Sequence, residues 1–122
     1  MKKILVVEDD RKIAKALSVR LRSLGYDVGF AYDAAMALTH ARDTRPDMVI
    51  IDINLPAGNG FQVAERLQEA PETSGTPFMF ITASRKAGLR GQAMKVGAKS
   101  YLEKPFLASD LVNSIENVLG AA

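Results

Sequence analysis

The chain has 122 residues, with 16 Lys and Arg against 14 Asp and Glu, for a formal net charge of +2. That length reads as one domain over residues 1–122, able to bury roughly two-thirds of its unfolded surface. The absence of Cys excludes disulfides, thiol catalysis and cysteine metal sites, while near-balanced charge and 7% aromatics leave little material for direct nucleic-acid binding.

MKKILVV opens like a signal peptide, but Glu8, Asp9 and Asp10 interrupt the apolar run too early. No apolar stretch approaches the roughly 20 residues that span a bilayer, so cytoplasmic residence without membrane insertion is expected. Lys3-Ile4-Leu5-Val6-Val7 reads instead as a buried strand. Ile13, Leu17, Leu21 and Leu24 recur at helical spacing, and Gly25 stands where a helix ends. Tyr26, Val28 and Phe30 alternate with Asp27 and Gly29 as a second strand. Asp33 is placed to cap a helix carrying Met36, Leu38 and Ala41, which Pro46 ends. The lone histidine, His40, reads as a solvated residue of that helix.

Val49-Ile50-Ile51 is a third strand, apolar enough to be buried on both faces, and it ends in Asp52. Asn54, Pro56 and Gly60 follow as a stiffened loop and a close turn into a helix with Phe61, Ala64 and Leu67 inward. PETSGTP is a polar loop, and Phe78-Met79-Phe80-Ile81 a fourth strand. Leu89, Ala93 and Val96 indicate a fourth helix closed by Gly97, with Gly88 and Gly91 inside it, each costing about 1 kcal/mol relative to Ala. Met79 and Met94 read as core filler. Ser100-Tyr101-Leu102 is a fifth strand, and Ser109 is placed to cap a last helix with Leu111, Ile115 and Leu119. Five strand–helix units imply a parallel sheet with helices on both faces, a doubly wound α/β fold.

In such folds, sites gather beyond the carboxyl ends of the strands. Glu8-Asp9-Asp10, Asp52, Thr82 and Glu103-Lys104-Pro105 stand at the ends of strands one, three, four and five, whereas strand two contributes nothing polar. Two carboxylates about 4 Å apart repel by roughly 4 kcal/mol at an effective dielectric near 20. A hard divalent cation relieves this, and Mg²⁺ suits a few carboxylates plus water. With Mg²⁺ and Lys104, the three charges of Glu8, Asp9 and Asp52 are nearly neutralised. That arrangement suits phosphoryl transfer to a carboxylate, with the Thr82 hydroxyl as a further hydrogen-bonding group. The structural alternative for Asp52 is an ordinary loop acid.

ILVVEDD, DINLPAGNG, FITA and YLEKPF, in this order and spacing, resemble the markers of response-regulator receiver domains of two-component signalling, the single-domain chemotaxis regulators included. The resemblance covers essentially the whole chain. It implies a five-stranded, flavodoxin-like sheet of order 2-1-3-4-5. Asp52 would be the phosphoacceptor, supplied by a sensor histidine kinase or phosphotransfer protein. Glu8 (through water), Asp9, Asp52 and the Asn54 backbone carbonyl would bind Mg²⁺ or Mn²⁺. Thr82 and Lys104 would contact the phosphate, with Thr82 and Tyr101 as the switch pair. Asp10 falls outside the metal shell in this family pattern.

The family's output face would carry Arg85, Lys86, Arg90, Lys95 and Lys99 to an acidic downstream protein. Related transcription-factor receivers dimerise through acidic residues that Lys99 and Ser100 replace here, so a monomer or weak phosphorylation-dependent dimer is expected. The chain reads as a free-standing switch rather than a turnover enzyme. An excised receiver of a larger regulator or hybrid kinase, and a phosphorylation-independent interaction module, are the alternatives.

Overall fold

The computed structural model describes residues 1–55 and 58–120. Five strands, β1 (Lys3–Val7), β2 (Asp27–Ala31), β3 (Met48–Asp52), β4 (Phe78–Thr82) and β5 (Ser100–Glu103), form one parallel sheet. Their order is β2-β1-β3-β4-β5, the flavodoxin-like arrangement expected from the family resemblance. Five helices connect or follow them: α1 (Arg11–Ser23), α2 (Ala34–Thr44), α3 (Gly60–Glu69), α4 (Leu89–Val96) and α5 (Ala108–Leu119). A short antiparallel ribbon, Asn54–Leu55 with Gly58–Asn59, lies between β3 and α3. Pro56, expected to stiffen this loop, lies outside the described residues.

Alternate strand residues face opposite sides of the sheet, and two cores follow. Leu5, Val7, Val49, Ile51 and Phe80 pack against α2, α3 and α4 through Ala37, Ala64, Leu67 and Ala93. Ile4, Val6, Ile50, Met79 and Ile81 pack against α1 and α5 through Leu17, Leu21, Leu111 and Ile115. Every residue of β3 and β4 is buried, which is why both read as continuous apolar runs.

Several local expectations need correcting. Gly88 is the N-cap of α4, at φ +87°, and not an interior residue; only Gly91 carries the helix-interior penalty. Leu107, not Ser109, occupies the N-cap of α5, and no side chain caps that end. Met36 and Met94 are exposed, and their neighbours Ala37 and Ala93 face the core. His40 is half-buried, seated over Gly29 and bonded to Thr44, rather than solvated.

Candidate functional site

The strand order reverses between β1 and β3, and loops leaving in opposite directions open a crevice there. Glu8 follows β1 directly, and its amide donates to the Ala31 carbonyl (2.9 Å) at the end of β2. The second strand therefore contributes a backbone anchor but no polar side chain at this end, where apolar Ala31 stands. Asp52 ends β3 at 5% exposure. Glu8, Asp9 and Asp52 can each present a carboxylate oxygen within 4.8 Å of the others. Glu8 and Asp52 are buried, whereas Asp9 opens to solvent.

Asp10 turns its carboxylate the other way. It caps α1, accepting from the Lys12 and Ile13 amides (2.9 and 3.3 Å). This gives a physical reason for leaving it outside the metal shell. An Asp directly before an apolar-periodic segment is an N-cap signature, so this role was readable from the chain.

Lys104 reaches across from the end of β5. Its Nζ donates to Glu8 Oε1 (2.5 Å) and Asp52 Oδ2 (3.1 Å). Burial pulls the ammonium's pKa down, but bonds to the two carboxylates outweigh that and leave it raised. Glu8 is pushed up from 4.5 to about 7, first by burial and then by its contact with Asp52, against the opposing pull of Lys104. The other Asp52 oxygen, Oδ1, accepts from the Asn54 amide (3.0 Å). The Lys104–Pro105 peptide bond is cis.

Thr82 is fully buried at the end of β4, and its Oγ1 accepts from the Asn54 side-chain amide (3.2 Å) and the Ser84 backbone amide (3.0 Å). Sequence reasoning placed Asn54 and Thr82 in the site but missed the bond between them, which joins residues 28 positions apart. Gly60 presses against β3: a Cβ there would lie 2.6 Å from the Asp52 carbonyl oxygen and 2.9 Å from Ile53 Cα.

The structure does not group the expected partner-face residues as five free cations. Arg85 is paired with Glu103 (2.7 Å), and the Arg90 guanidinium lies 4.8 Å from the Tyr101 ring centroid. Lys86, Lys95 and Lys99 are exposed. Tyr101 is itself 5% exposed, and burial followed by the Glu103 charge raises its phenol pKa.

The donors of the acidic cluster are all carboxylate oxygens, with one open side for water, and they fit a small hard dication. A model of the response regulator receiver domain matches residues 4–116. The DNA-binding response regulator MtrA of Mycolicibacterium paratuberculosis is 37% identical over 110 residues, covering 90% of this chain and 48% of that protein. The chain spans about half the length of the curated relatives it matches.

Among solved structures, the chemotaxis protein CheY4 of Vibrio cholerae superposes with a TM-score of 0.90 at 30% identity, covering 97% of this chain and 98% of that one. The receiver domain of the Pseudomonas aeruginosa sensor histidine kinase PA1611 has a TM-score of 0.88 at 28% identity, covering 98% of each chain. That structure holds a magnesium ion in its active-site cleft.

Proposed function

The chain belongs to the response regulator receiver domain family, and on that premise we propose that Asp52 accepts a phosphoryl group from a phosphohistidine on a sensor histidine kinase or phosphotransfer protein. A carboxylate oxygen of Asp52 forms the new P–O bond as the P–N bond breaks, and the electron pair stays on the imidazole nitrogen. Asp52 supports this reading most directly. It ends a fully buried strand, with one oxygen fixed by the Asn54 amide and the other facing the Lys104 ammonium. A carboxylate so held has little freedom to lose on reaction.

Glu8, Asp9, Asp52 and the Asn54 backbone carbonyl would hold Mg²⁺ or Mn²⁺. When bound, the cation offsets the charge of the carboxylates and of the transferring oxygens. Lys104 and Thr82 take the phosphoryl oxygens, and Thr82 leaves its bond from the Asn54 side chain to do so. The movement passes through Tyr101 to α4, β5 and α5, where Lys86, Lys95 and Lys99 are the free cations offered to an acidic downstream protein. In this reading, residues 1–122 act as one cytoplasmic switch, monomeric or weakly dimerising on phosphorylation, and not as a turnover enzyme.

Intact-protein mass after incubation with acetyl phosphate tests the chemistry. A single Mg²⁺-dependent phosphoryl adduct, absent in Asp52→Asn, is the expected result. No adduct in the wild-type protein, together with no response to beryllofluoride, would overturn it.

One observation favours a second reading, a module that works without phosphorylation: Tyr101 is already buried beneath Arg90. Tyrosine fluorescence during beryllofluoride titration, compared with Tyr101→Phe, separates the two. A change that vanishes in Tyr101→Phe supports the switch, and a flat titration supports the module.

A further inference from the structure

We propose that Arg85 is a positioning residue for Lys104, fixing the backbone from which that ammonium reaches Asp52. The inference rests on the phosphoryl-transfer reading of the site and assigns Arg85 a role inside it, rather than on the output face.

Arg85 lies in the β4–α4 connection, three residues after Thr82. That connection is tied to the site by its own turn bonds. The Ser84 amide donates to Thr82 Oγ1 (3.0 Å), and the Lys86 amide to Ser84 Oγ (3.2 Å). From this anchored turn the Arg85 guanidinium spans the gap to the end of β5. Nη1 donates to Glu103 Oε2 (2.7 Å), and Nη2 donates to the Lys104 carbonyl oxygen (3.1 Å). The Lys104 amide, in turn, donates to the Thr82 carbonyl (2.7 Å). Both backbone polar groups of Lys104 are therefore held from the Thr82 side, the amide by Thr82 itself and the carbonyl by Arg85. Without Arg85, one of those two ties is lost directly beneath a side chain that must meet Asp52 and Glu8.

The contact is geometric more than electrostatic. The Arg85 and Glu103 side chains are 62% and 35% exposed, and solvent screens an ion pair of that kind almost to nothing. The planar fork of Arg, in contrast, presents two N–H donors at fixed spacing and can engage a carboxylate and a carbonyl at once. A Lys ammonium keeps the charge but lacks the fork. The same bridge links the Thr82 turn to the Lys104 backbone, so a shift of either residue on phosphorylation is passed to the other.

The test uses the full chain with Arg85→Ala, Arg85→Lys and Glu103→Gln. At saturating Mg²⁺, Arg85→Ala should slow adduct formation from acetyl phosphate by about tenfold, the scale expected when a reacting group loses its positioning. Arg85→Lys should recover little of this, and Glu103→Gln, which keeps an acceptor oxygen, should lose only about twofold. Mg²⁺ affinity should stay within about twofold in all three, because the carboxylates are untouched. A second readout is independent of phosphorylation: acylation of Lys104 by an amine-reactive ester, followed by peptide mass spectrometry, with exposed Lys99 as the internal reference. Lys104 should label several-fold faster in Arg85→Ala.

Adduct rates within about twofold of wild type with unchanged Lys104 labelling would overturn the proposal, as would full recovery by Arg85→Lys, which would mark a purely electrostatic contact. Failure of the wild-type protein itself to form an adduct would instead sink the phosphoryl-transfer reading, and Lys104 labelling would still decide whether Arg85 positions it.

Discussion

The β3–α3 corner and the β4–α4–β5 side border the same site but are held by different means. At the first, Asp52 ends a strand buried along its whole length, and Gly60 packs against its carbonyl. The helix that follows carries a reciprocal cap between Asn59 and Gln62 and buries Phe61, Val63, Ala64 and Leu67. At the second, α4 has eight residues, no side-chain cap bond and one buried residue, Ala93. Besides the sheet and core contacts of β4 and β5, polar reaches tie this side together: Asn54 to Thr82, Arg85 to Lys104, and Arg90 over Tyr101. Under the proposed function, a nucleophile needs a rigid mount and a relay needs an element that moves at low cost, and the two sides would divide those requirements.

The sharpest way to break this comparison is to disturb the rigid corner. Gly60→Ala places a methyl carbon 2.6 Å from the Asp52 carbonyl and 2.9 Å from both Ile51 Cγ2 and Ile53 Cα. Backbone has to shift, because two of those three atoms belong to it. Urea unfolding should show a loss of about 3 kcal/mol, with phosphorylation at Asp52 falling alongside it. A loss within about 0.5 kcal/mol would show that the corner yields as readily as an ordinary surface site.

The charged interior of the site gives the next effect. Glu8 has its pKa raised from 4.5 to about 7, so between those values the folded chain holds a proton that the unfolded chain releases. The Glu8 contribution to stability is therefore full below about pH 4.5 and is lost as pH rises toward 7. Its span is on the order of 3 kcal/mol in the absence of divalent cations. The difference in unfolding free energy between wild type and Glu8→Gln, followed from pH 4 to pH 8, should change in that direction and flatten above 7. If Glu8 takes part in holding Mg²⁺ as proposed, Mg²⁺ affinity should run the opposite way, rising with pH until Glu8 is ionised. A wild-type minus Glu8→Gln difference independent of pH would remove the shift.

Much of the rigid corner was legible in the chain, and much of the relay side was not. Val49-Ile50-Ile51 followed by Asp52 allowed little besides a buried strand ending in a carboxylate, which is what forms; only the polar ends of the other strands favoured a site over an ordinary loop acid. Gly60 was read as a close turn into the following helix, and the structure adds what it turns against, the Asp52 carbonyl. The placement of Glu8, Asp9, Thr82 and Lys104 at strand ends followed from the alternation of strands and helices, whereas the roles expected of them came from the family resemblance. The misread positions are those where local pattern is degenerate. Met36 beside Ala37 and Met94 beside Ala93 lie on adjacent helical positions, and a one-residue rotation decides which side chain enters the core. Gly88 looked like an interior residue because its positive φ shows only in the backbone. Ser109 is a good capping residue, but the helix starts two residues earlier. The partners of Arg85 and Arg90 lie on or beside β5, more than two helical turns along the chain, where no local pattern reports them; His40 bonds locally to Thr44, but the missing Cβ of Gly29 that seats its ring lies on another element.

The smallest effect tests the mobile side in isolation. Gly91 is interior to α4, and a Cβ there meets nothing within 4 Å. Gly91→Ala therefore adds helix propensity without a clash, worth about 1 kcal/mol. Because α4 buries so little, that gain should appear locally. Hydrogen exchange of the α4 amides should slow by about fivefold, while β3 and α3 stay unchanged. In the wild-type chain, α4 amides should also exchange faster than those of α1 and α5. Equal protection in all three helices would mean that α4 opens only with the whole fold, and the division between rigid mount and mobile relay would not hold. If the difference is present, the same substitution also weakens the relay. A stiffer α4 follows Thr82 and Tyr101 less readily, so the Tyr101 response to beryllofluoride should shrink although Asp52 still reacts.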